Sequence, residues 1–411
     1  MYPCISVGEV LTLKIGIDGK FASSRYGGMG AYTLRIIEAL AHLGQDDLII
    51  FVPSEISPEL ELSTHAQCLK VQHVFTKKQS FQDVYDFRAY WEQEVLPAQL
   101  EKHAVDVFFG PAFMAPLHWY GPKVVTVHDL LFERSPSWNS ARSTTHYRTW
   151  AKLCAQHVNA IIAVSHFTAH DISTLWDLHH VPVHTIYLAP SLSCIPASRA
   201  VAFSVVSREF KIKAPYLLYV GDSFPRKNIT RLLQAYALLT ASIKAPPSLV
   251  LVTAQKTGEI EQALTTYQLS DRVIVTGYGA PDILPHLYAA AEMLIFPSLF
   301  EGFGLPAIEA MSCGIPVITS KAGALPEVVA DAALLIDPED PVKIKEAMEL
   351  LLMNEEMRID LIARGKRRAQ QFSWEKTARE TRDVLARAIY SASSSQNPAH
   401  PEQARSNDRI P

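Results

Sequence analysis

The chain has 411 residues (45.7 kDa), of which 48% are apolar and 19% charged, with a mean hydropathy of +0.06. That length predicts two or three domains, and the composition excludes a largely disordered chain. With 38 basic and 42 acidic residues the formal net charge is −4 and the pI about 6.4, so no global basic field points to nucleic acid. The longest uncharged candidate for a membrane span, Val107 to Pro122, is broken by Pro111, Pro116, His118 and Pro122. The first residues lack the basic patch and apolar core of a secretory signal. Cys4, Cys68, Cys154, Cys194 and Cys313 are scattered, with no CxxC pair, which reads as a reducing, cytoplasmic setting without a zinc site.

Taken in chain order, short apolar runs predict strands at 13–18, 48–52, 105–109, 123–127 and 160–164, with an amphipathic helix over 31–43 closed by Gly44. The pattern restarts at 216–221 and continues at 248–252, 272–276, 293–297, 315–319 and 332–336, with helices including 229–240 and 285–291. Continuous apolar strands alternating with helices predict parallel sheets covered on both faces, in two Rossmann-like, doubly wound domains. The boundaries expected are 1–200, 201–372, a last helix over 373–390 and a disordered tail over 391–411. Pro, Ser and Ala over 190–213 predict an irregular linker.

The most specific segment is F-P-S-L-F-E-G-F-G-L-P-A-I-E-A-M-S-C-G-I-P-V-I-T-S, Phe296 to Ser320. A strand ends, Gly302 and Gly304 form a loop, and Pro306 suits the first turn of a helix. Free amides and the helix dipole there attract phosphate. Glu301 and Glu309 would repel it, so they are expected to face the neutral, hydroxyl-rich part of a ligand, where a carboxylate accepts from a vicinal diol. Taken singly, Glu309 reads as a carboxylate complementing a helix start and Glu301 as a solvated loop residue; their joint occurrence with two glycines and Pro306 reverses that.

A second segment, Tyr219 to Asn228, also follows a strand and opens a helix, with Asn228 as its expected N-cap. Arg226 offers a planar donor fork and Lys227 a point charge, either a diphosphate clamp or a surface pair. Gly27, Gly28, Met29 and Gly30 precede the first helix and read as a turn, with close backbone approach to a ligand as the alternative. His128, in T-V-H-D-L, ends a strand at the carboxyl edge of the first sheet, and Ser165 has the form of an N-cap. The aromatic segment Phe81 to Trp91 reads as an amphipathic helix on its own sheet or as an acceptor or membrane-surface element.

E-G-F-G-L-P-x-x-E, G-D-S-F-P-R-K-N, T-V-H-D-L and G-G-M-G-A-Y-T stand in the order seen in glycosyltransferase family 4, which the chain resembles from Leu13 to Tyr390. Within it, the chain is most similar to bacterial polysaccharide mannosyltransferases. The resemblance implies a GT-B fold and a retaining transfer from a nucleoside diphosphate sugar. GDP-mannose is the first expectation, with dTDP-rhamnose or another nucleotide sugar behind it. It implies Glu309 on the ribose hydroxyls and Glu301 on the transferred hexose. Gly302, Phe303, Gly304 and Leu305 would surround the sugar and diphosphate. Arg226 and Lys227 would hold the diphosphate, His128 would stand against the sugar opposite Glu301, and Gly28, Met29 and Gly30 would lie near diphosphate or acceptor. The last helix would cross back to the first domain. Asp222 departs from the family pattern, and an acid there is expected to turn away from phosphate.

These parts imply a metal-independent enzyme in which amides and cations meet the charge developing on the leaving phosphate. There is no D-x-D motif and no evident nucleophile, so front-face attack by the acceptor hydroxyl is preferred. The acceptor implied is a growing glycan or lipid-linked saccharide, with peripheral membrane contact and no nucleic acid as partner. The rival readings are a nucleotide-sugar epimerase of the same architecture and a bilobal sugar-binding protein. The first needs no acceptor, and the second binds free sugar.

Overall fold

The computed structural model describes residues 12–22, 27–53, 66–70, 84–192, 198–213, 215–254, 256–277 and 282–395. Strand β1 (Lys14–Asp18) is followed by α1 (Gly27–Leu43), β2 (Asp47–Val52), β3 (Ala66–Lys70) and α2 (Val84–Tyr90). After a π-helical turn, Trp91–Val95, come α3 (Leu96–Lys102), β4 (Val107–Gly110), β5 (Lys123–Val127), α4 (Leu131–Arg134), α5 (Ala141–Gln156), β6 (Ala160–Ala163), α6 (His166–Leu175) and β7 (Val183–Thr185). All pairings are parallel, in the order β3-β2-β1-β4-β5-β6-β7.

The second unit begins with α7 (Arg199–Phe210), β8 (Tyr216–Val220), α8 (Ile229–Ser242), β9 (Ser248–Val252), α9 (Gly258–Thr266) and β10 (Val273–Val275). It continues with α10 (Leu284–Ala290), β11 (Leu294–Phe296), α11 (Leu305–Ser312), β12 (Val317–Ser320), α12 (Leu325–Val329), β13 (Leu334–Ile336), α13 (Pro341–Met353) and α14 (Glu355–Ala369), and α15 (Trp374–Ser395) ends the described chain. Its parallel sheet has the order β10-β9-β8-β11-β12-β13. Each sheet therefore reverses its strand order once, between β1 and β4 and between β8 and β11. Ligands of open α/β sheets bind outside the carboxyl ends of the strands at such reversals.

The core strands are apolar on both faces because helices cover both. Ile15, Ile17 and Val107 meet α1 through Ile37, Leu40 and Ala41, and Phe108, Val125 and Ile161 meet Trp91, Leu96 and Leu100 on the other side. The first of these cores runs on into the second unit through Phe303, Ile308, Ala324 and Val328. Helix α15 packs on α1 and the first sheet, with Val384, Leu385 and Ala388 in that same core. Arg382 grips Asp46 with two hydrogen bonds of 2.7 and 2.9 Å, and Trp374 Nε1 donates to the Pro190 carbonyl at 3.0 Å.

Several expectations are corrected. Gly27 to Gly30 form the first turn of α1 rather than a preceding loop. Residues 199–210, expected as irregular linker, form α7, capped by the Ser198 side chain and packed on α10. Strands β3 and β7 were not expected; β3 (A-Q-C-L-K) and β7 (V-H-T) lack continuous apolar runs. The last helix reaches Ser395, so the tail assigned from 391 begins in helix, and 396–411 lie outside the described residues. Cys154 is a buried free thiol, but Cys313 is disulfide-bonded, contrary to a uniformly reduced set. Trp91 packs on the other face of the first sheet, as the plainer reading of the aromatic segment had it, whereas α2 itself buries no residue and 81–83 lie outside the described residues. Among the described residues no helix is long and apolar enough to cross a membrane.

Candidate active site

The reversal in the second sheet carries the site. The loop after β8 holds Arg226 and Lys227, and the loop after β11 holds Glu301. The loops are tied together by the Leu299 N–H, which donates to the Arg226 carbonyl at 2.7 Å. The Asn228 amide donates to the carbonyls of Pro297 and Pro338 at 3.0 and 2.7 Å. Asn228 stands at the N-cap position in a left-handed conformation, but its side chain makes no capping hydrogen bond; its task is to anchor loops. Asp222 does not turn away as expected. Its carboxylate accepts from the Phe224 N–H at 3.1 Å and from Arg226 Nη2 at 3.3 Å, so it staples the loop and holds the guanidinium.

Lys227 Nζ lies 2.6 Å from Glu301 Oε1, and Arg226 Nη1 lies 3.2 Å from Glu301 Oε2. Glu301 thus spends both oxygens on the two cations, where the sequence pointed to a carboxylate facing neutral hydroxyls. The cause is local: the two cations are buried together and a buried charge needs a partner, which Glu301 and Asp222 supply. Burial alone would raise the Glu301 carboxyl, but Lys227 and Arg226 more than reverse this and hold it below its ordinary range. Burial pushes Lys227 downward, with Glu301 opposing.

Gly304 adopts φ = 105°, open only to glycine, and turns the chain into α11 with Pro306 in its first turn. Pro306 carries no N–H and the Ala307 N–H donates to the Gly304 carbonyl at 3.0 Å, while the dipole of α11 is positive at this end. Phe303 is buried against Tyr187 and Phe372, so its ring is a seam contact and only its backbone remains for a ligand. Leu305 packs partly buried against the first core. Glu309, in the middle of α11, is buried; Tyr288 donates a hydrogen bond to its Oε2 at 3.1 Å. Burial raises its carboxyl to about 7, with Tyr288 and the Ser191 backbone opposing.

The first domain presents His128 directly after β5. Its Nε2 lies 2.9 Å from the Pro111 carbonyl, which makes Nε2 the protonated nitrogen and leaves Nδ1 as an acceptor. Burial pushes the imidazole down to about 4, against that hydrogen bond, so it is neutral at pH 7. The Tyr32 and Phe113 rings meet it edge-on. Gly302 meets the backbone of His128 across the seam: a Cβ on Gly302 would run into the His128 carbonyl oxygen and the Asp129 side chain. Thr168 Oγ1 bridges the same place, 3.3 Å from the His128 carbonyl and 3.4 Å from that of Gly302. Gly28 is exposed, Gly30 is buried within α1, and Met29 packs partly buried on the first domain's core.

Three neighbouring residues were missed by the sequence reading. Asp129 follows His128, and burial raises its carboxyl, with Arg226 opposing from across the seam. Glu327 accepts hydrogen bonds from the His166 and Phe167 N–H groups at 2.7 and 3.0 Å and from the Tyr187 hydroxyl at 2.8 Å, so a side chain of the second domain caps helix α6 of the first. Tyr288 lies in an apolar helix where nothing marks its hydroxyl. The first sits inside a motif already singled out, T-V-H-D-L, and adjacency was the available signal.

Comparison with known proteins gives two family matches, "Glycosyl transferases group 1" over residues 204–368 and "Glycosyltransferase Family 4" over residues 26–189. The chain is 31% identical over 375 residues to the O-antigen chain mannosyltransferase B of Escherichia coli, covering 86% of this chain and 94% of the relative. It is 31% identical over 243 residues to an MMP alpha-(1->4)-mannosyltransferase of Mycolicibacterium hassiacum, covering 58% of this chain and 56% of the relative. In architecture it is similar to a sucrose-phosphate synthase from Thermosynechococcus elongatus (TM-score 0.73, 23% identity, 92% of this chain and 99% of that one). It is also similar to WaaG, a glycosyltransferase involved in lipopolysaccharide biosynthesis (TM-score 0.71, 17% identity, 90% and 99%). The two facing doubly wound units are a GT-B fold.

Proposed function

Since this chain belongs to the glycosyltransferases of group 1 and family 4, we propose that it transfers a mannosyl residue, with retention of anomeric configuration, from a nucleoside diphosphate donor to a glycan or lipid-linked saccharide. The observation that carries the reading is the Lys227–Glu301–Arg226 cluster at the strand reversal, with Asp129, the residue after His128, close to its charges across the seam. The relatives named above as mannosyltransferases supply the choice of sugar, with GDP-mannose as first donor. The base, the acceptor and the linkage follow from assay.

The chemistry proceeds from charge. A donor diphosphate brings two negative charges to a cluster in which Asp222 and Glu301 already balance Arg226 and Lys227. Binding therefore exchanges partners: phosphate oxygens take the guanidinium and the ammonium, and Glu301 turns toward the sugar hydroxyls. His128 Nδ1 accepts from a hydroxyl on the opposite side of the sugar. The bond from the anomeric carbon to the β-phosphate oxygen breaks while the acceptor oxygen bonds to that carbon from the same face. The acceptor's proton passes to the departing phosphate oxygen, so no enzyme base or covalent intermediate is required. Lys227, Arg226 and the N–H groups at the start of α11 meet the charge as it develops, in the role assigned above without a divalent ion. Fixed donors of this kind each lower the barrier by about 3–4 kcal/mol.

The test is nucleoside diphosphate release from a panel of nucleotide sugars, with the product anomer read by NMR. GDP-mannose turnover that needs an acceptor and gives a product of the donor's configuration is expected. Release without acceptor, with an altered sugar, supports an epimerase. Inversion, or complete loss of activity in chelator, overturns the mechanism.

A further inference from the structure

Glu309 has a surrounding that the donor reading leaves unused, and the following rests on that reading. Its carboxyl is 6% exposed and sits where three segments meet: α11 itself, the crossover at Ser191, whose backbone hydrogen-bonds to it, and α1, whose Arg35 lends favourable charge. The fourth neighbour is Tyr288 of α10, fully enclosed, with its hydroxyl 3.1 Å from Glu309 Oε2. Buried phenols need a partner, and most in this domain spend the hydroxyl on backbone. Tyr216 donates to the Leu287 carbonyl at 2.6 Å, Tyr236 to that of Pro247 at 2.7 Å and Tyr219 to that of Asp222 at 3.0 Å. Tyr288 is spent on a carboxylate at the seam between the domains.

We propose that Tyr288 is a positioning residue for nucleoside recognition, fixing the rotation of the Glu309 carboxylate so that its two oxygens accept the 2′ and 3′ hydroxyls of the ribose together. A carboxylate has about four acceptor sites; Tyr288 and the Ser191 backbone take one each, which leaves two for a diol. Without the phenol the carboxylate turns freely and accepts one hydroxyl at a time. The same enclosure raises the carboxyl to about 7, so below neutrality most molecules hold it protonated. A diol that donates two hydrogen bonds needs the ionised form, and nucleoside binding there expels a proton.

Titration calorimetry of the full chain tests this with GDP and 2′-deoxy-GDP, each in two buffers of different ionisation enthalpy, at pH 6.5 and 8.5. The deoxy analogue subtracts protons that the phosphates contribute. Wild type is expected to release most of a proton more with GDP than with the deoxy analogue at pH 6.5, and almost none more at pH 8.5. The preference for GDP should fall about tenfold in Tyr288→Phe, the worth of one hydrogen bond to a charged group, and the extra proton should vanish in Glu309→Gln. Equal proton counts for the two ligands in wild type overturn the proposal whatever the variants do. So does an unchanged preference in a folded Tyr288→Phe. Failure of wild type to bind any nucleoside diphosphate sinks the donor reading itself, and is distinguishable because neither ligand then gives heat.

Discussion

The two strand reversals occupy equivalent places in the two sheets and have opposite fates. At the first, between β1 and β4, Lys20 Nζ lies 2.5 Å from Asp18 Oδ2 and 2.7 Å from Glu92 Oε1, and Trp91 Nε1 donates to Asp18 Oδ1 at 3.0 Å. All three charged side chains are at most 5% exposed. At the second, between β8 and β11, two cations share Glu301 and Asp222, and Arg226 and Asp222 stay 19% and 28% exposed with contacts of 3.2–3.3 Å. The first cluster is sealed by an indole and has more acid than base, so it holds the fold and refuses an anion. The second is more exposed at Arg226 and Asp222 and richer in cations. In the proposed reaction its internal carboxylate is exchanged for a ligand's phosphate. One topological position thus serves as a structural clamp or a binding site according to whether its charges are already committed.

The sharpest way to break this comparison is to remove the lysine from each cluster. Lys20→Met strands two buried carboxylates and should cost about 3–5 kcal/mol, read as a lowered denaturation midpoint. Lys227→Met should fold with a midpoint near that of the native chain and lose roughly 10²–10³ in kcat for donor turnover. If Lys20→Met is stable, or Lys227→Met unfolds, the division of labour is wrong. Gly302→Ala is the next effect in size. The added methyl meets the His128 carbonyl, and at about 1–3 kcal/mol for overpacking the closed seam should weaken, seen as a rise of about tenfold in donor KM with little change in stability. A smaller change is expected from Glu327→Gln. An amide can accept through one end only, so the α6 cap loses about 1 kcal/mol. A larger radius of gyration in solution scattering, without loss of helix content, would report the looser seam.

The second reversal was legible and the first was not, for a physical reason. Arg226, Lys227, Glu301, Gly304 and Pro306 lie in two contiguous segments punctuated by glycine and proline, each directly after an apolar strand. Strand end, turn and helix start can be read locally. Glu92 comes to Asp18 from more than seventy residues away, on a π-helical turn that no periodicity announces, and the loop ion pair of Glu301 is likewise a tertiary fact. Tyr288 reads as core, which it is; only the fold shows what its hydroxyl meets. Glycine is a poor helix former, so Gly27 to Gly30 read as a turn, yet in the first turn its cost is small because few helical hydrogen bonds depend on it. The GT-B fold and the donor-side motifs came from local grammar and resemblance, whereas the domain-closing contacts of Glu327 and α15 required the assembled chain.

The smallest expected effect concerns His128, whose neighbour Asp129 lies close to the charges of the second cluster. Burial holds its imidazole at about 4 against an ordinary 6.5, so the unfolded chain takes up a proton before the folded one does. Its contribution to stability is complete above pH 6.5 and is lost as pH falls from 6.5 through 4. Glu309 works in the opposite sense over part of that range: raised from 4.5 to about 7, it favours the folded state below 4.5 and withdraws that favour as pH rises through 7. A wild-type curve alone mixes the two, so the readout is the difference in thermal midpoint between wild type and His128→Gln as a function of pH. The gap should narrow steadily from pH 7 to pH 4.5. Over pH 5.5–8 the neutral imidazole should leave no limb of its own in kcat/KM. A limb near 6.5 that disappears in His128→Gln would mean that the imidazolium enters the reaction, and the two sides of the seam would then both be charged rather than one charged and one neutral.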